Sequence, residues 1–152
     1  MRILLAAVGR AKPGPQLELQ RLYAGRLGWS LAVAEVEERR KLSAAERRER
    51  ESELLLARLP ERAVVVALDE RGTVLSSAAF AQKIASWRDQ GASDLAFLIG
   101  GADGHADEVR RRADFILSLG AMTWPHLLVR GMLLEQLYRA QQILAGHPYH
   151  RE

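Results

Sequence analysis

Short runs of near-continuous apolar residues, separated by charged, helix-like stretches, constrain this chain more than any other feature. "RILLAAV" (Arg2–Val8), "LAVAEV" (Leu31–Val36), "AVVVAL" (Ala63–Leu68) and "LAFLI" (Leu95–Ile99) are too short for core helices and lack the alternation of a half-wetted strand. Strands buried on both faces read this way, and such strands belong to parallel sheets covered by helices. "DFILSL" (Asp114–Leu119) is a weaker fifth. The expected fold class is therefore α/β with a mainly parallel sheet.

The stretches between carry helix signals. Pro15 to about Arg26 is the first. Ser43 opens "SAAE", a capping box with Glu46, and starts a second helix that runs towards Leu59 and stops at Pro60. Ser77 to Asp89 is the third, closed by Gly91. Pro125 sits where a first-turn proline belongs, and Gly146 and Pro148 punctuate the end of the last helix. Its apolar residues, Leu127, Leu128, Met132, Leu133, Leu137, Tyr138, Ile143 and Leu144, form a stripe broader than one core face needs. That stripe is either buried deep in its own domain or shared with another subunit.

At 152 residues, without repeat or linker, one domain spanning residues 1–152 is expected. No apolar run approaches the roughly 20 residues of a membrane span. The opening "MRILLAAVGR" has too short an apolar part for a signal peptide and reads as a first strand, so the cytoplasm is the expected compartment. With no cysteine, disulfides and thiolate metal sites are excluded. The net charge of +3 is carried almost entirely by arginine, Lys12, Lys41 and Lys83 being the only lysines. Compositional bias accounts for this as well as a polyanionic partner does, although arginine forks suit phosphates and base edges.

Ligands of open parallel sheets bind beyond the carboxyl ends of the strands. Three segments are expected to form loops there. "LDERG" (Leu68–Gly72) offers Asp69 as a ligand-orienting carboxylate or a turn residue. "IGGADG" brings Gly100, Gly101 and Gly104, which allow close backbone approach or simply a tight strand-to-helix turn, and match neither the dinucleotide fingerprint nor a phosphate loop. "SLGAMTWPHLLVR" (Ser118–Arg130) leads into a helix start, where His126 and Arg130, four apart, share a face. A helix start with an added arginine suits an anion, and simple capping of nearby groups explains the pair equally well. The chain closes on "GHPYHRE", with His147, Tyr149, His150 and Arg151 beside a stiffening proline. His147 and His150, with His126, Asp69 and Asp103, are a weak candidate set for a metal-dependent hydrolase. A non-catalytic RNA-binding module is the other alternative.

Taken in order, "AVGR", "LDERG", "LIGGADG", "MTWPHLLVRGMLLEQLYRA" and "HPYHRE" resemble the RlmH family over essentially the whole chain. These are small SPOUT-class methyltransferases acting on N3 of a pseudouridine in large-subunit (23S) ribosomal RNA. The resemblance implies a parallel α/β sheet with a C-terminal deep trefoil knot, an obligate homodimer packed through the last helix, and S-adenosylmethionine as cofactor. By that likeness Leu68, Gly100, Leu119, Gly120, Ala121, Met122, Thr123 and Trp124 line the cofactor pocket, with no metal. It implies that "HPYHR" is an active-site segment; at that site Arg130 and Arg151 are expected to contact RNA phosphate or imide oxygen, Tyr149 to stack on or hydrogen-bond the base, and His150 to be a candidate proton acceptor. His126 contacts RNA or secures the helix start. One subunit donates residues to its partner's site, and the dimer's own target is the ribosome. Gly146 stands where the family often has Asn, a change in the turn.

Overall fold

The computed structural model describes residues 1–151; Glu152, the last residue of the terminal motif, lies outside them. Five strands form one sheet: β1 (Arg2–Val8), β2 (Ser30–Val36), β3 (Val64–Val74), β4 (Asp94–Ile99) and β5 (Phe115–Ser118). Their order is β2-β1-β4-β3-β5, and every pairing is parallel. Five helices accompany them: α1 (Pro15–Arg26), α2 (Ala44–Leu56), α3 (Ser77–Asp89), α4 (Asp107–Arg112) and α5 (His126–Leu144).

The continuous apolar runs have the expected cause. Along β1 and β4, Ile3, Leu5, Ala7, Leu95, Phe97 and Ile99 face one core with Phe80, Ile84, Trp87, Leu133, Leu134 and Leu137 of α3 and α5. Alternate residues Ala6, Val8, Ala96 and Leu98 face a second core with Leu55 of α2 and Val109 of α4. Period-2 side chains of one strand thus feed two cores, so both sets must be apolar. The second strand departs from this expectation. As an edge strand it is largely exposed, with Val33 41% accessible, and only Val36 is buried.

One further expectation is corrected. "LDERG" is not a loop after a strand, because β3 continues to Val74. Leu68 and Thr73 both face Leu117 of β5, so residues 69–72 bulge out of a continuing ladder. A Cβ on Gly72 would lie 2.6 Å from the Ile116 carbonyl oxygen, which is why that bulge needs glycine. Between β4 and β5 the strand-to-helix turn at "IGGADG" leads into α4, six residues with one buried side chain, Val109.

Helix ends follow their local chemistry. Ser43 Oγ accepts the Glu46 N–H at 3.1 Å and donates to the Glu46 carboxylate at 3.0 Å. The second helix ends at Leu56, one turn before Pro60. Pro125 stands one position ahead of the first turn, its carbonyl accepting the N–H groups of Leu128 and Val129. At the other end of α5, Gly146 has φ +72°. Its N–H reaches the Ile143 carbonyl and that of His147 the Gln142 carbonyl, the paired bonds of a Schellman stop.

Candidate active site

The carboxyl ends of β3, β4 and β5 open onto a cavity of about 710 Å³. That volume lies within the range of small-molecule sites, roughly 300–1,000 Å³. Three segments form its walls: Leu68–Arg71 from the β3 bulge, Ile99–His105 after β4, and Leu119, Gly120 and Met122–Trp124 after β5. Of the residues expected at the cofactor, all but Ala121 line this one cavity.

Polar contacts hold the walls. Ser118 is buried, its hydroxyl bonded to the Glu70 carbonyl at 3.1 Å and the Gly120 carbonyl at 3.0 Å. The Thr123 hydroxyl donates to the Glu70 carboxylate at 2.8 Å, joining bulge to loop. After β4, the Gly104 N–H bonds the Gly101 carbonyl at 3.0 Å, and Gly104 takes φ +77°. A Cβ on Gly100 would meet Gly104 backbone atoms at 3.1 and 3.2 Å, so this glycine serves the loop's own closure. Asp69 is spent on the protein, paired with Arg110 at 2.8 Å and Arg71 at 3.4 Å.

His105 was not singled out from sequence, where it followed a glycine loop without any pattern. It lines the cavity at 3% exposure, one ring nitrogen 3.2 Å from the Leu98 carbonyl and the other, Nδ1, without a partner. Burial lowers its pKa, against the Leu98 and Leu68 carbonyls and Asp69, so the imidazole is held neutral. With Nε2 donating to Leu98, Nδ1 is a bare acceptor.

His126 and Arg130 are on one face of α5, as their spacing required, but in different surroundings. His126 lines the cavity. Burial lowers its pKa first and the Arg130 charge lowers it further, so it too stays neutral. Arg130 was expected to reach RNA; instead it is wholly enclosed. Its guanidinium donates to Glu35 at 2.6 Å and to the carbonyls of Val8 and Gly9 at 3.1 and 2.9 Å. Burial pushes the Glu35 carboxyl up, but the Ala11 N–H and Arg130 outweigh it and the net shift is downward. Arg130 therefore clamps the ends of β1 and β2 to the first turns of α5.

The terminal motif lies elsewhere. Tyr149 donates to Glu135 at 3.1 Å, packs edge-on against Tyr138 with ring centroids 4.8 Å apart, and lies under the Arg139 guanidinium. Burial, Tyr23 and Glu135 raise its phenol to about 12. The His150 Nδ1 is 3.2 Å from Arg139, His147 accepts the Tyr149 N–H, and Arg151 is exposed. None of Tyr149, His150 or Arg151 lines the cavity, so one chain does not bring them to the expected cofactor residues. Glu135 does line a second, more apolar hollow of about 460 Å³, which shares Leu117, Leu119 and Gly120 with the first. Among the described residues no group of three His, Cys, Asp or Glu side chains could hold a metal. No helix among them is long and apolar enough to cross a membrane.

The family profile described as "Predicted SPOUT methyltransferase" matches residues 1–150. The chain belongs to that family. The ribosomal RNA large subunit methyltransferase H of Rhodospirillum centenum is 62% identical over 99% of both chains. The protein of the same name from Paramagnetospirillum magneticum is 59% identical over the same shares. A Legionella pneumophila methyltransferase solved with bound S-adenosylmethionine superposes with a TM-score of 0.50 at 18% identity. That match covers 92% of this chain and 66% of the other, and it speaks for the fold of this family member.

Proposed function

We propose that this chain transfers a methyl group from S-adenosylmethionine to N3 of a pseudouridine in large-subunit ribosomal RNA, acting on the assembled ribosome. The observation that carries the reading is the single cavity at the strand ends, where the three segments named by the RlmH resemblance meet. Relatives named for large-subunit RNA methylation match end to end and supply the substrate class.

The residues present fit the cofactor. Leu68, Ile99, Leu117, Leu119 and Val129 offer an apolar slot for an adenine, and the loops offer backbone groups at its edge. His105 Nδ1 supplies a buried acceptor that lacks a donor. When bound, S-adenosylmethionine supplies a methyl group activated on a sulfonium. The protein's share is chiefly alignment of donor and acceptor, which contributes roughly 7–11 kcal/mol in well-oriented systems. The imide proton on N3 must also leave. His126, which lines the cavity and is neutral, is the candidate to accept it within the same chain, beside the partner subunit's His150. Arg130 acts from behind, holding the α5 start on which His126 stands.

The proposed enzyme is a homodimer of chains that each carry a trefoil knot. The knot is supported by the path from β5, at one sheet edge, to α5, whose Arg130 reaches the ends of β1 and β2 across β3 and β4. For the dimer, Leu127, Leu128, Met132, Ile143 and Leu144 of α5 stay only half-covered. The partner's Tyr149–Arg151 segment completes each cavity, and Arg151 takes RNA phosphate.

Labelled S-adenosylmethionine offered with ribosomes lacking the modification, beside matched free RNA, tests the reading. Label in N3-methylpseudouridine from ribosomes alone supports it entirely. Label from free RNA as well removes the ribosomal context. No transfer to either, with cofactor bound, removes the substrate assignment.

A further inference from the structure

Two side chains of the cavity rim are at odds with a site that binds only the cofactor. Trp124 is 40% exposed and Met122 73%, although both line the cavity. An indole left in water gains nothing for folding. This one is nonetheless held in place, its Nε1–H bonded to the Leu119 carbonyl at 3.3 Å. The bond consumes the ring's only polar group and leaves the rest of its surface as the part open to a partner. Arg48 of α2 lines the same cavity and makes no ion pair or side-chain hydrogen bond among the described residues. Its helix neighbours Arg47 and Arg50 are committed, Arg47 to the carbonyls of Glu38 and Arg40 and Arg50 to Glu38 and Glu53.

An anchored exposed aromatic and an uncommitted guanidinium lining one cavity are the pairing that holds an unstacked nucleotide: the ring takes the base face and the cation a phosphate. We infer that Trp124 is the stacking platform for the target base, presented at the cavity mouth, and that Arg48 takes a phosphate of the same RNA segment. The family resemblance puts Trp124 among residues lining the cofactor pocket; with its side chain 40% exposed, the ring is assigned to the acceptor instead. The exposed Met122 extends the platform with a polarisable, adaptable surface. This inference rests on the methyltransferase reading and refines it, by assigning who holds the acceptor.

The test separates acceptor from donor. Trp124→Ala and Trp124→Phe are compared with the unaltered protein for KM and kcat on ribosomes lacking the modification, and for S-adenosylhomocysteine affinity by calorimetry. Loss of a stacked base raises the ribosome KM of the alanine variant by roughly 5- to 150-fold. Phenylalanine restores most of it, and cofactor-product affinity stays within twofold in both. Arg48→Gln raises the KM and makes it less sensitive to salt. An alanine variant with unchanged KM, or one whose KM change is matched by lost S-adenosylhomocysteine affinity, overturns the assignment, the second outcome returning Trp124 to the cofactor. If the unaltered protein binds the cofactor product yet methylates no ribosome, it is the underlying functional reading that fails.

Discussion

Arg130 shows how a residue's chemistry can be read correctly and its task misread. An arginine at a helix start reads as an anion site, and its fork does bind an anion, Glu35, from inside the protein. Local spacing gave the face of the helix; only the long-range packing of β1 and β2 against it decided what that face meets. Glu35 keeps part of its side chain in water, so losing Arg130 strands chiefly the Val8 and Gly9 carbonyls it had bonded. Arg130→Met is expected to cost about 1–3 kcal/mol in urea unfolding. Arg130→Lys, which keeps the charge but not the fork, costs less. The neutral histidines make a second expectation. His105 and His126 both have folded-state pKa values below their unfolded ones, chiefly through burial. The unfolded chain therefore binds protons first as pH falls. Their contribution is full above the unfolded value, near pH 6.5, and is lost as pH drops through it towards the folded values. Unfolding free energy measured from pH 7.5 downwards should fall, and His126→Gln should flatten that slope.

Among the elements, legibility followed the strength of the local signal. The first strand and the first and third helices carry unbroken apolar runs or clear caps and breakers, and their ends fall where those signals put them. The bulge of β3 is different. Turn-like residues Asp69 to Gly72 interrupt an apolar run, and nothing local tells a strand's end from a detour within it; the continuation depends on β5, over forty residues further on. The same bulge supplies Leu68 and Glu70 to the cavity, which makes Gly72 a structural requirement of the site. Gly72→Ala would press a methyl group onto the Ile116 carbonyl, and backbone yields less readily than a side chain. A loss of about 1–3 kcal/mol or more is expected in thermal or urea unfolding, the range of overpacking. Affinity for S-adenosylhomocysteine should weaken with it, since β5 carries Leu117 into the same wall.

For the whole molecule, one chain separates what the proposed chemistry needs together. The cavity lies at the strand ends, while Tyr149 and His150 are fastened to Glu135 and Arg139 of the last helix. In the sequence the terminal motif stands out by its residue types but not by its position. Its tyrosine and histidine find partners eleven to fourteen residues back, a local fold that says nothing about a neighbouring subunit. The proposed site is therefore composite, with the cavity from one subunit and the tail from the other. The direct test mixes two variants, Gly100→Val, which blocks the cavity wall, and one with Tyr149, His150 and Arg151 all changed to Ala. Each alone is inactive on ribosomes. After subunit exchange, heterodimers hold one intact cavity facing one intact tail, and random pairing should restore roughly a quarter of the unaltered protein's methyl-transfer rate. No recovery, with exchange verified by mass spectrometry, would contradict the account and place cavity and tail function within a single chain.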